Sequence, residues 1–147
     1  MITTKEKIAN SFYAFHDGDI KLETVEGLNQ IWKIECRYLA EIINPKFDCF
    51  WIKIFHCQEI QFSPWVEPLE IWTKIQEVFK TELEISSAKV IKGKIEINCH
   101  QHNVNFDFQG GEILLDCKGI EVYDQEWNLI HYEDLRKICK DYWDKHK

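Results

Sequence analysis

The strongest constraint on this chain is a two-residue rhythm of apolar side chains that returns in run after run. A strand sends successive side chains to opposite faces, so an alternating run has one face to bury and one to leave wet. "DIKLETVE" places Ile20, Leu22 and Thr24 on one face. "EGLNQ" after it is a turn by composition, because Gly and Asn tolerate the backbone angles that a reversal needs. "IWKIECRYLAEI" sets Trp32, Ile34, Cys36, Tyr38, Ala40 and Ile42 against Lys33, Glu35, Arg37 and Glu41, which predicts one strand over 31–42. "NPKFD" turns the chain and "CFWIKIFHCQEIQF" returns. There Phe50, Ile52 and Ile54 oppose Trp51, Lys53 and Phe55, so both faces are partly apolar, as in a strand covered on each side.

Two segments break that rhythm. Leu69, Trp72, Ile75, Val78 and Phe79 recur at three- and four-residue steps, which predicts an inserted helix over about 68–80 with Pro68 in its first turn. "HYEDLRKICKDYWDK", residues 131–145, predicts an amphipathic C-terminal helix. Leu135, Ile138, Cys139 and Tyr142 form its stripe, and lysines stand at the end the macrodipole favours. A short helix is also expected around Lys5 to Phe12. The strand rhythm resumes in "LEISSAKVI", "KIEINCHQ" and "VNFDFQGGEILLDCKGIEVYD". The last reads as a hairpin: Val104, Phe106 and Phe108 point inward, "QGG" turns, and Ile113, Leu115 and Cys117 return. The expectation is a single α+β domain over 1–147, mostly antiparallel sheet with one inserted and one closing helix.

Composition agrees with a packed sheet. Hydrophobic residues make up 45% of 147 and aromatics 14%, enough to build a core without metals or disulfides. Eighteen basic against twenty-five acidic residues leave a net charge of −7, which repels nucleic acid and suits a basic protein partner. No apolar run approaches membrane-spanning length, and "MITTKEKIANSF" lacks a signal-peptide core. Six cysteines without a C-x-x-C pair read as reduced, mostly buried thiols in a cytoplasmic protein.

Four constellations offer chemistry. His16-Asp17-Gly18-Asp19 has the residue types of a catalytic pair. Adjacent side chains on extended chain diverge, however, and Asp-Gly is a turn dipeptide, so the corner of a first strand is the better account. His100 and His102 lie two apart, about 7 Å between Cα atoms on a strand, and would hold zinc if His16, His56 or a cysteine added a third ligand. His56, Cys57 and Glu59 resemble a thiol beside a base, yet alternation again separates the first two, and no Arg or Lys stands by to lower the thiol. Phe62, Trp65 and Trp72 form an aromatic segment of the kind that anchors protein interfaces.

"AFHDGDIKLETVEG", "FWIKIFHCQEIQF" and "FDFQGGEILLDCKGIEVYD" together resemble a diffuse group of small bacterial proteins. In that group "FHD", a small residue, a spacer and an aliphatic residue open the first strand, and a sheet hairpin closes on a short "I-x-V" strand. Residues 64–82 and the charged C-terminal helix depart from its simpler pattern. Some members look like cytoplasmic immunity proteins that neutralise toxins, so the resemblance implies a β-rich binding protein and supplies no catalytic residues and no cofactor.

The leading expectation is a non-enzymatic binding module for a basic protein, of the immunity-inhibitor kind. Its contacts would come from Phe62, Trp65, Trp72 and the His16-Asp17 corner. The alternatives are a metal-binding protein or metal-dependent hydrolase using His100 and His102, and a carrier with a Trp-lined pocket for a small apolar ligand. A homodimer through an edge at "CFWIKIF" is also open.

Overall fold

The computed structural model describes residues 1–146. In chain order the elements are α1 (Lys5–Ala14), β1 (Asp19–Glu26), β2 (Asn29–Glu35), α2 (Arg37–Ile43), β3 (Phe50–Phe55), β4 (Glu59–Pro64), α3 (Ile75–Val78), β5 (Leu83–Ile91), β6 (Lys94–Gln101), β7 (Gly110–Asp116), β8 (Gly119–Tyr123), β9 (Leu129–Ile130) and α4 (Tyr132–Lys145). The fold is α+β. Its strands form one antiparallel sheet in the order β4-β7-β6-β5-β1-β2-β3-β8-β9.

That order hides a closure. β4 pairs with β7 at one end of the sheet and β3 pairs with β8 near the other. Yet only residues 56–58 separate β3 from β4, and only 117–118 separate β7 from β8. Three residues reach no more than about 11 Å, so the two ends of the sheet must meet. They meet as one bent ribbon: Gln58 N–H donates to Asp116 O at 2.8 Å and Lys118 N–H to Phe55 O at 2.9 Å across the corner. The sheet is therefore rolled into a barrel, with α1 against the inner faces of β5 and β6.

The alternation read from the sequence sets which side chains fill that barrel. Trp32 and Ile34 of β2, Phe50, Ile52 and Ile54 of β3, Ile95 and Ile97 of β6, and Ile113 and Leu115 of β7 are wholly buried. Phe12 of α1 meets Trp32 with ring centres 5.7 Å apart, and Phe15 meets Phe50 at 4.8 Å. α4 then covers α1 and α2 from outside. Trp51, Lys53 and Phe55 stay half-exposed, so β3 is buried on one face rather than two. No helix among the described residues is long and apolar enough to cross a membrane.

Four expectations need correction. The strand expected over 31–42 stops at Glu35, and Arg37–Ile43 is helical. Cys36, Leu39, Ala40 and Ile43 follow i, i+3, i+4, i+7 as well as any helix does, and Leu39 and Ala40 carry its buried face. The helix expected over 68–80 shrinks to Ile75–Val78. Trp72 instead exchanges two backbone hydrogen bonds with Phe62, at 2.8 and 2.7 Å, which holds the segment extended. The 104–117 hairpin is absent, and Val104 is exposed in a loop. Buried Gln101 clasps that loop, its side-chain amide donating to Phe108 O at 3.0 Å and its oxygen accepting from Asn103 N at 2.6 Å. "QGG" does not turn: Gly111 lies flat under Phe62, where an added Cβ would stand 2.6 Å from the ring. Finally, β3 is paired on both sides, by β2 and β8, so "CFWIKIF" offers no edge to a second copy.

Trp32 joins three layers, touching Phe12 and Phe79 (5.3 Å) while its indole N–H donates to Gln30 Oε1 at 2.9 Å. Trp32→Ala is expected to lower the unfolding free energy by about 3–5 kcal/mol, measured by urea denaturation.

Candidate functional site

The His16–Asp19 corner is a joint. α1 ends at Phe15, Asp17 takes a left-handed backbone (φ 68°), and its N–H donates to Ile85 O at 2.7 Å. Asp is among the few residues that adopt this conformation readily. Gly18 has no room for a side chain, since a Cβ would come 2.8 Å from Phe15 O. Above the joint, Tyr38 donates its hydroxyl to His16 O at 2.6 Å. The His16 ring lies parallel to Trp143 at 5.2 Å, with Nδ1 3.0 Å from Tyr13 O. His16 thus ties α1, α2 and α4 together, while Asp17 is exposed.

The two histidines of "CHQH" are drawn to different neighbours. His100 meets the edge of Trp65 at 6.3 Å. His102 places Nε2 3.0 Å from Glu84 Oε1. Among the described residues no group of three His, Cys, Asp or Glu side chains is assembled to hold a metal ion. What the fold does assemble is Asp19 beside Glu84, register partners on β1 and β5, with His102 behind them. Burial raises the Asp19 carboxyl above the usual carboxylate range, and the negative charges of Glu84 and Glu35 add to that. This pairing was missed in the sequence because 65 and 83 residues separate Asp19 from Glu84 and His102. An E-x-S run at a strand start carries no signal of its own.

No thiolate is on hand as a nucleophile. Burial pushes the thiols of Cys57, Cys117 and Cys139 up to about 11 and that of Cys36 up to about 12, and raises Cys99 further still. All six cysteines are free. His56 and Cys57 occupy the corner of the bent ribbon, with His56 exposed and Cys57 buried.

The aromatic segment divides. Phe62 is wholly buried and cannot reach a partner; it belongs to the core and supports Trp72, edge-on at 5.5 Å. Trp72 is half-buried and joined by Phe106 and Phe108 at 6.0 and 5.7 Å. The hollow beside Trp72 and Phe106 is a surface depression of about 310 Å³ rather than an enclosed carrier cavity. Trp65 lies over Gly110 with its indole N–H on Glu112 Oε1 at 2.9 Å, and is 45% exposed. Further along the same loop Leu69 (72%) and Ile71 (55%) face solvent, as does Val104 (95%) in the 102–109 loop. The 65–72 and 102–109 loops meet through Trp72 and Phe106, so these apolar groups share one end of the barrel. A second aromatic feature was not expected: Trp127 stacks on Trp51 at 4.8 Å and 11°, in a loop whose N–H groups of Glu126 and Asn128 donate to Asp124 Oδ1.

No protein-family model matches this chain, and no curated protein or solved structure matches it either.

Two outcomes follow from this geometry. The buried thiols ionise earlier in the unfolded chain than in the fold. Their contribution to stability is therefore complete below the ordinary thiol value of 9.0 and is lost as pH rises through the folded values. The urea midpoint should be level from pH 7 to 8 and fall steadily from about pH 9 to 11; a midpoint unchanged to pH 11 would refute the burial account. His16→Ala should lower stability by about 1 kcal/mol, the worth of its stack, and speed amide exchange in α4.

Proposed function

We propose that this chain is a protein-binding module without a catalytic role, an immunity-type inhibitor whose docking surface is the apolar end built from the 65–72 loop and Val104. The observation that carries this reading is the exposure of Trp65, Leu69, Ile71 and Val104 on two loops that the Trp72–Phe106 contact brings together. Large apolar groups gathered in solvent on neighbouring loops mark an interaction surface. Aromatic anchors with few rotors supply most of the energy at such surfaces.

The rim decides the partner's sign. Glu67, Glu70 and Glu77 are exposed along the same segment beside Lys74 and Lys80, the latter paired with Glu77 at 3.1 Å, and the whole chain carries −7. An apolar patch ringed by basic residues is the complementary surface, and the opposite net charges speed encounter at low salt. The free, buried thiols favour a reducing compartment such as the cytoplasm. Among the described residues burial raises the thiols and no three metal-type side chains converge, which supports a reading as a binding protein.

The test takes the protein encoded beside this one as the candidate partner and measures both capture and protection of cells that make it. Trp65→Ala should weaken binding by about 30-fold, the size of an interface hot spot, with the thermal midpoint shifted by only a few degrees. Leu69→Glu should do the same. Binding should also weaken steeply as salt rises from 50 to 500 mM. Capture that ignores both substitutions and salt would sink the proposal.

A further inference from the structure

The barrel is a continuous ladder except at one seam. Between β1 and β5 only Asp19 and Ile20 are paired, with Glu84 and Leu83. β1 then runs on to Glu26 with β2 on one side alone. In register, its other neighbour would be residues 77–82, but these form the end of α3 and the turn that follows it. Lys21–Glu26 therefore present an edge with no strand beside it among the described residues. Beyond that edge opens a cleft of about 730 Å³, walled by Leu22 on one side and Phe79 and Thr81 on the other.

The charge lining this cleft is lopsided. Asp19, Glu82 and Glu84 border it, and Glu23 and Glu26 continue along β1. The two lysines and the histidine lining it are already engaged, Lys21 with Glu35 at 2.9 Å, Lys80 with Glu77 at 3.1 Å and His102 with Glu84 at 3.0 Å. Burial raises the Asp19 carboxyl, and the negative charges of Glu84 and Glu35 add to it. An unpaired strand edge is a template for another strand. This one is negative at its mouth and apolar at its wall.

We infer that the β1 edge receives an extended basic segment of the protein partner as an added strand. Main-chain hydrogen bonds to Lys21–Glu26 would supply register. Alternate side chains would then fall on opposite sides, apolar ones toward Leu22 and Phe79 and basic ones toward Asp19, Glu82 and Glu84. The inference rests on the protein-binding reading above, and adds to it a second contact and the conformation of what binds there.

The probe is a capped hexapeptide of alternating valine and arginine, titrated into the intact protein by calorimetry at 50 mM salt while amide exchange is followed by NMR. Saturable binding is expected, with exchange of the β1 amides over residues 21–26 slowed at least tenfold. Methylating alternate peptide nitrogens should cost at least tenfold in affinity, as should Glu82→Lys, an exposed site where the fold is not at stake. Leu69→Glu should leave peptide binding intact. The inference is overturned by absence of saturable binding, by an N-methylated peptide that binds equally well, or by protection confined to residues outside β1. If the encoded neighbour is captured through Trp65 while Glu82→Lys has no effect, the strand-addition inference fails and the binding reading stands. If neither Trp65→Ala nor Glu82→Lys alters capture, both fail together.

Discussion

The bend in one antiparallel ribbon governs this structure. Residues 50–64 and 110–123 pair along their length, but on either side of His56–Gln58 and Cys117–Lys118 they belong to opposite ends of the sheet. A nine-stranded sheet left open would expose one whole apolar face. Bent in this way it rolls up, and that face becomes an interior in which Phe12, Phe15, Trp32 and Phe50 interlock. Apolar burial supplies the driving force. The ribbon decides where that burial happens.

Closure has a cost in regularity, and the departures from the ladder mark the surfaces of interest. β1 and β5 each carry a register shift, at Leu22/Thr24 and Ile85/Ser87, and part company soon after the His16–Asp19 joint. Where they part, an edge and an acidic cleft remain. At the barrel end Trp72 leaves its helical pattern to bridge Phe62, and the loop before it carries Trp65, Leu69 and Ile71 into solvent. Both surfaces lie beside the 102–109 loop, which Gln101 clasps from within.

The histidine and carboxylate clusters take on different roles in three dimensions from those their spacing advertised. His16 acts through its carbonyl and its ring stack, holding α4 to the corner. His100 and His102 lean on Trp65 and Glu84 and do not converge. Asp19, read as a turn residue, instead faces Glu84 across the seam, so its environment comes from a strand that begins 64 residues later.

The sequence by itself determined the class of fold and part of the core. Alternation in "FWIKIF" and "EILLDC" picked out the buried Phe50, Ile52, Ile54, Ile113, Leu115 and Cys117, because a strand's two faces are a local property, whereas Leu22 and Thr24 of β1 are only half-buried. The amphipathic C-terminal helix was legible for the same reason. Local pattern ran out where two periods coincide, as at Cys36–Ile43, or where a distant backbone outbids the local preference, as Phe62 does for Trp72. The aromatic segment was visible, but the separation of buried Phe62 from exposed Trp65 was not. The closure of the sheet, the open β1 edge and the Asp19–Glu84–His102 grouping belong to tertiary structure alone. Each depends on pairing between segments far apart in the chain, and the energy that selects such a pairing is shared by both partners and written in neither.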